Sequence, residues 1–254
     1  MKLEFENVTK NFNGRNGDRP MVVLDGISFG VRESEFFCIV GPSGCGKSTI
    51  INLAAGFFRP DQGRVAVNGK EISSPSASRT VVFQEYALFP WKTVFGNIEF
   101  GLKCSGIPEE ERRQIVYDLA KKVDLEKFLN HYPAELSGGM KQRVAIARSL
   151  AVKPEIILMD EPFASLDQQT RDVMQEELLG FMKEFSQTII FVTHNIEEAI
   201  FLGDRVLVLG KRPAHAKALV EVPFSKPRLP QLRNEPVFLA LRRDIGGLLR
   251  KEAS

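Results

Sequence analysis

Apolar and polar positions alternate in "KLEFENV" near the start of the chain and again in "RVAVNGKEI", where Asn68-Gly69 separates two short β-like runs. A period of two marks strands that bury one face, and an Asn-Gly pair between them marks a hairpin, so a small antiparallel sheet is predicted there. Three later runs, "EFFCIV", "EIILMD" and "TIIFVT", are continuously apolar, as expected of strands covered on both faces. They predict a parallel central sheet. From about residue 95 to residue 152 the period becomes helical, with Met140, Val144, Ala147 and Ala151 on one face until Pro154 halts the run. Met174, Leu178, Phe181 and Phe185 repeat that spacing ahead of "TIIFVT", which predicts a helix completing a βαβ unit, with its Met and Phe stripe in the core. Past Gly210, five prolines (213, 223, 227, 230 and 236) interrupt a basic segment that ends in a short helical piece. This reads as an extension of the domain.

A chain of 254 residues can hold one large α/β domain or two small ones. Its 26% charged and 43% hydrophobic content fits a globular protein and excludes disordered and fibrous classes. The net charge of +2 is too small to argue for nucleic acid. From Lys211 onward, however, ten Lys/Arg stand against four Asp/Glu. That excess suits either a solvated basic surface or a position near anionic lipid. Cys38, Cys45 and Cys104 have neither zinc-site spacing nor the even count of a disulfide framework, so reduced thiols in a cytosolic setting are expected. Cys45, inside a glycine loop, is expected to be open to alkylation. No apolar run approaches the roughly 18 residues of a membrane span, and "MKLEFENVTKNF" lacks a signal-peptide core.

Chemistry enters with "GPSGCGKST", residues 41–49, which fits G-x-x-x-x-G-K-[ST] directly after an apolar strand and before the helical "TIINLAAG". Glycines let successive backbone N–H groups turn toward phosphate, and the helix start adds its positive end. Gly41, Pro42, Ser43, Gly44, Cys45, Gly46, Lys47, Ser48 and Thr49 are therefore assigned to nucleotide binding. Lys47 reaches the β- and γ-phosphates and Ser48 places its hydroxyl on Mg²⁺. "IILMDE" ends a buried strand in two acids, an arrangement whose desolvation is offset when they face a cation or a reacting group. Asp160 is the metal-side residue and Glu161 the general base for water. Gln84, closing "TVVF", is assigned to Mg²⁺ or water, although most glutamines are surface residues. His194, after "IIFVT", is a candidate hydrogen-bond partner of a γ-phosphate. A second glycine turn, "LSGGM", lies far downstream and by itself reads as a Ser-capped helix.

Together these pieces resemble the ATP-binding cassette family, the ATPase subunits of ABC transporters, through residues 1 to about 210 and in the family's order. "GPSGCGKST" matches the Walker A loop, Gln84 the Q-loop, "LSGGM" the signature motif and "IILMDE" Walker B. "ASLD" matches the D-loop, which contributes Asp167, and "VTHN" carries the switch histidine. The resemblance implies an α/β P-loop NTPase (RecA-like) parallel-sheet core, an amino-terminal antiparallel β subdomain and an inserted α-helical subdomain at about 85–152. The cassette spans 1–210, and 211–254 is a basic Pro/Arg-rich extension. It also implies that ATP and Mg²⁺ are bound at a head-to-tail pair of cassettes, a second copy or a homologous one. There Ser137, Gly138 and Gly139 serve the nucleotide on the partner. Phe12 stands where the family has an aromatic that stacks on adenine. Met140 replaces the usual Gln of the signature, and Asn195 the usual Asp after the histidine.

"EYALFPWKTVFGNIEFGL" is similar to the importer branch for nitrate, sulfonate and taurine. That likeness implies integral membrane permease subunits whose coupling helix docks near Phe89, Pro90 and Trp91, with local packing the alternative role for an exposed or half-buried Trp. It also implies an extracytoplasmic solute-binding protein and a peripheral place on the cytoplasmic face of the inner membrane. A cassette ATPase in a soluble, nucleic-acid-linked complex is the competing class. The insert here has no sustained heptads, so no nucleic-acid partner is expected.

Overall fold

The computed structural model describes residues 1–12, 20–185 and 187–250, with only the backbone for 182–185. The Phe185 side chain of the expected core stripe and residues 251–254 of the expected extension lie outside the described residues. In chain order the elements begin β1 (Leu3–Phe12), β2 (Met21–Val31), β3 (Phe36–Val40), α1 (Lys47–Ala55), β4 (Gln62–Val67), β5 (Lys70–Glu71) and β6 (Arg79–Val82). They continue α2 (Val94–Cys104), α3 (Glu109–Lys122), α4 (Gly138–Ala151), β7 (Ile156–Asp160), α5 (Gln168–Phe185), β8 (Thr188–Thr193), α6 (Ile196–Leu202), β9 (Arg205–Leu209), β10 (Ala216–Glu221) and α7 (Pro236–Arg250). Two compact units result: Met1–Ser76 with Gln175–Ser254, and Ala77–Met174.

The first unit holds the predicted antiparallel sheet, in the order β2-β1-β4-β5. Asn68 and Gly69 both take left-handed backbone conformations, φ 51° and 74°, as a two-residue hairpin between twisted strands demands. In β1 the buried positions run Leu3, Phe5 and then Val8, so the alternation changes parity. A register shift between Phe5 and Val8 accounts for it, with Asn7 at φ 49°. Gly63 lies against that bulge: a Cβ there would fall 2.3 Å from the carbonyl oxygens of both Glu6 and Asn7.

In the same unit β3 runs parallel to both β8 and β9, and β10 closes on β9 in antiparallel sense. Every residue of β3, β8 and β9 is buried. Helices α1 and α6 cover these strands and explain why their sequences do not alternate. An aromatic stack ties the antiparallel sheet to β3, with Phe5 and Phe29 centroids 4.5 Å apart and Phe29 and Phe37 centroids 5.3 Å apart. The Arg205 guanidinium caps the stack 5.2 Å from the Phe37 centroid. Arg205 Nη2 also donates to Glu35 Oε2 (2.8 Å) and to the Gly30 carbonyl (2.7 Å).

In the second unit β6 and β7 pair in parallel, and α4 packs on β6, α2 and α3. Val144, Ala147 and Ala151 are buried on the predicted face of α4. Gly101 of α2 permits close approach, since a Cβ there would meet Val152 Cγ1 at 2.7 Å. Three glutamates open α3 and two lysines close it, matching the helix dipole at both ends.

Arg205→Met should leave the Glu35 carboxylate buried without its guanidinium. Urea unfolding is expected to show a loss of about 3 kcal/mol, as for other buried pairs broken from one side.

Candidate active site

Strand β3 delivers the chain to Gly41, and α1 begins six residues later at Lys47. The residue before α1 is Gly46, at φ 117°, and no side chain caps the helix. Its first N–H groups are therefore not satisfied by a capping side chain. The loop is wrapped tightly on itself. A Cβ on Gly46 would meet Leu24 Cδ2 at 2.8 Å and Val23 Cγ1 at 2.9 Å, and one on Gly41 would meet Cys45 Sγ at 2.8 Å. Lys47 is only 5% exposed and its Nζ donates to the carbonyls of Gly41 and Pro42, both at 3.1 Å. The ammonium thus lies along the loop that its backbone amides line. Ser43, Gly44 and Ser48 are exposed, and Pro42 and Thr49 half-buried.

Cys45 departs from expectation. The thiol is buried under Gly41, because the curl of the loop turns this side chain in, so it is shielded from alkylation. Cys104, on α2, is the exposed thiol.

The first unit also carries Phe12 and His194. Phe12 ends β1 half-buried, edge-on to Phe58 at 5.5 Å. His194 is exposed between β8 and α6. Asn195 starts α6 by accepting from the amides of Glu197 (2.9 Å) and Glu198 (3.3 Å). An Asn oxygen caps as well as an Asp, which accounts for this departure from the family pattern.

In the second unit the other motif loops converge. Gln84 is exposed, in the turn just beyond β6. Tyr86 and Ala87 follow in the left-handed region, and Arg148 of α4 holds both, donating to the Tyr86 carbonyl at 3.0 Å and the Ala87 carbonyl at 2.7 Å. Burial lowers the Arg148 pKa. Tyr86 Oη lies 2.8 Å from Ser165 Oγ, and a Cβ on Gly138 would meet Tyr86 Oη and Leu166 Cδ2, each at 3.3 Å. The Q-loop, the "ASLD" turn and the "LSGG" turn therefore meet around Gly138. Ser137 Oγ accepts from the Met140 amide (3.3 Å), capping α4, and leaves the amides of Gly138 and Gly139 beside it at the helix start. Asp167 takes the Thr170 amide (3.0 Å) and the Thr170 hydroxyl (2.7 Å), and these bonds lower its pKa.

Asp160 and Glu161 are half-buried at the end of β7, and Glu161 has φ 46°. A non-glycine residue in that region carries strain of the kind that collects at functional sites. Among the described residues no group of three or more His, Cys, Asp or Glu could hold a metal ion alone. Taken singly, the hydroxyl of Ser48, the amide oxygen of Gln84 and the carboxylate of Asp160 are each the kind of oxygen donor that a hard cation such as Mg²⁺ takes.

Sequence reasoning missed Arg148, Tyr86 and Asn97. Asn97 is fully buried; its Oδ1 accepts from the Phe89 amide (2.9 Å), and its Nδ2 donates to the carbonyls of Phe89 (3.2 Å), Lys92 (3.0 Å) and Thr93 (3.0 Å). A buried polar residue on the apolar face of a helix was the available signal. The loop that Asn97 fastens displays Trp91, 72% exposed.

The family described as ABC transporter matches residues 24–164. The chain belongs to the ABC transporter family. It is 48% identical to an uncharacterized ABC transporter ATP-binding protein of Methanocaldococcus jannaschii, over 99% of this chain and 92% of that one. It is 43% identical to the nitrate import ATP-binding protein of a Synechocystis species, over 98% of this chain and 96% of that one. A dimeric ATP-binding cassette solved with ADP and Pi in a post-hydrolysis state superposes with a TM-score of 0.76. That cassette is 31% identical, over 88% of this chain and all of its own. This ABC protein is an ATP-binding ATPase with the P-loop NTPase fold.

Gly46→Ala forces a Cβ against Val23 and Leu24 in the left-handed region, so calorimetric titration should show ATP affinity lowered by about tenfold or more. Asn97→Ala, which takes the side-chain partner from the Phe89 amide and the Lys92 carbonyl while the Phe89 and Thr93 carbonyls keep a backbone donor, should cost about 3 kcal/mol in urea unfolding.

Proposed function

We propose that this chain is the ATPase subunit of an ABC importer for a small solute of the nitrate, sulfonate or taurine kind. It works as one of two cassettes joined head to tail. The observation that carries the reading is the pairing of two glycine helix starts, one uncapped at Gly46 and one at Gly138-Gly139. Each suits a phosphate, and they belong to separate units. In a head-to-tail pair the Ser137-Gly138-Gly139 turn of one copy faces the γ-phosphate on the Walker A loop of the other.

Lys47 and the amides of residues 41–49 hold the phosphates, and Phe12 offers a ring face to adenine. Ser48, Gln84 and Asp160 are the residues that would hold Mg²⁺, which would supply positive charge against that of the phosphates. Glu161 accepts the proton of the attacking water as its oxygen bonds to the γ-phosphorus, and the bridging oxygen leaves with ADP. His194 hydrogen-bonds a γ-phosphate oxygen, and Asp167 sets the D-loop at the cassette interface.

No helix among the described residues is long and apolar enough to cross a membrane. Attachment therefore falls to the permease, with Phe89, Pro90 and exposed Trp91 receiving its coupling helix on the cytoplasmic face of the inner membrane. A solute-binding protein outside supplies the cargo. Work is done because ATP binds the closed pair better than the open one.

Glu161→Gln should keep ATP binding, lose about a hundredfold or more in turnover, and run as a dimer with ATP in size-exclusion chromatography. Near-normal turnover would remove Glu161 as the base. Purified from membranes with ATP and Mg²⁺, the same variant should bring down a multi-span protein in near-equal amount by mass spectrometry. Recovery of only soluble or nucleic-acid-bound partners would overturn the transporter reading.

A further inference from the structure

Within the first unit the segment after β10 grips α6, the helix that follows His194. Arg228, 5% exposed, donates from Nη1 to the carbonyls of Ile200 (3.1 Å), Phe201 (2.9 Å) and Gly203 (2.8 Å). A buried guanidinium thus closes the carbonyl end of α6, where the helix dipole favours a cation. Arg242 of α7 pairs with Glu197 at 2.9 Å. Arg233, in the 3-10 turn Pro230–Asn234, lies 4.2 Å over the Phe201 ring and donates from Nη2 to Gln175 Oε1 at 2.6 Å.

From Gln175 a polar chain runs inward. Gln175 Nε2 donates to Glu198 Oε1 (3.2 Å), the Thr193 hydroxyl donates to Glu198 Oε2 (2.6 Å), and the Asn195 amide donates to that hydroxyl (3.0 Å). Gln175, Glu198 and Thr193 are all buried. Thr193 and Asn195 are the two neighbours of His194, so the chain ends on the backbone that carries the imidazole. Its donor directions are mutually consistent only with the Gln175 amide turned one way. Arg233 sets that turn, because a guanidinium can only donate and so must take the amide oxygen, leaving the NH₂ for Glu198. Glu198 asks for the same turn, since an ionised carboxylate only accepts; without Arg233 the Gln175 oxygen loses its donor and the amide is held from the Glu198 side alone, so the chain loosens at its outer end.

We propose that Arg233 is a positioning residue for His194, acting through Gln175, Glu198 and Thr193, so that the segment after β10 sets the aim of the switch histidine. This assigns a task to a part of the chain outside the six nucleotide-binding motifs. Its effect on turnover rests on the role given to His194 above.

The test uses the full chain with Arg233→Met, which keeps apolar cover on Phe201 and removes the donors, and Arg233→Lys, which restores a cation. Turnover of ATP should fall about tenfold in Arg233→Met, the rate equivalent of one charge-assisted hydrogen bond, with KM within about twofold of normal. Arg233→Lys should recover part of it. The chain has three histidines, so in ¹³C-histidine NMR the signal lost in His194→Ala identifies His194. That signal should shift or broaden in Arg233→Met, while those of His131 and His215 stay. An unmoved His194 signal, or all three moving together with a lower melting temperature, would overturn the proposal. Should His194→Ala itself hydrolyse ATP normally, the histidine's catalytic role fails, and the NMR comparison still decides whether Arg233 positions it.

Discussion

A helix begins with backbone N–H groups that its own ladder cannot satisfy, and three such beginnings in this protein, two in the first unit and one in the second, are treated in three different ways. At α1 the position before the helix is a left-handed glycine with no capping side chain. At α4 a serine hydroxyl takes one amide while two glycines leave the rest of the first turn unobstructed. At α6 an asparagine closes two amides, so the exposed histidine before it sits on a fixed start. The same unmet valence is left without a side chain at α1, met by one hydroxyl beside two glycines at α4, and closed by an amide oxygen at α6.

These beginnings are useful only if the strands before them do not move. Strand β3 is fully buried, and its first residues carry the Phe5–Phe29–Phe37 stack that Arg205 and Glu35 finish. Strand β2 then does more than fill a sheet, because Val23 and Leu24 form the wall against which Gly46 closes. In the second unit Arg148 plays the corresponding part. It holds two successive left-handed residues of the Q-loop, a conformation they would not keep unaided.

The elements were legible where a short period governs them. The two-residue alternation, the continuous apolar strands and the Asn68-Gly69 hairpin depend on neighbours along the chain, and the glycine loop declares its chemistry through a fixed spacing. What escaped was long-range. Nothing local to Arg148 points to Tyr86 and Ala87, and Arg233 and Gln175 meet across 58 positions. Cys45 misled for a related reason: its place in a loop suggested exposure, but the curl of the loop sends this side chain inward beneath Gly41. Met140 sits in the first turn of α4, where its amide donates to Ser137 Oγ, a bond that any residue except proline would make at that position.

The bulge in β1 has an evolutionary consequence. Asn7 in its left-handed conformation restores Val8 to the core after Leu3 and Phe5, and Gly63 fits against the resulting kink with no room for a Cβ. A larger residue at 63 could be accepted only if the kink relaxed, and relaxing it would turn Val8 outward. Residues 7, 8 and 63 are thus coupled through one kink, so a change at any one is expected to be epistatic with the other two. Lineages that drift at the surface of this sheet must keep all three or replace them together.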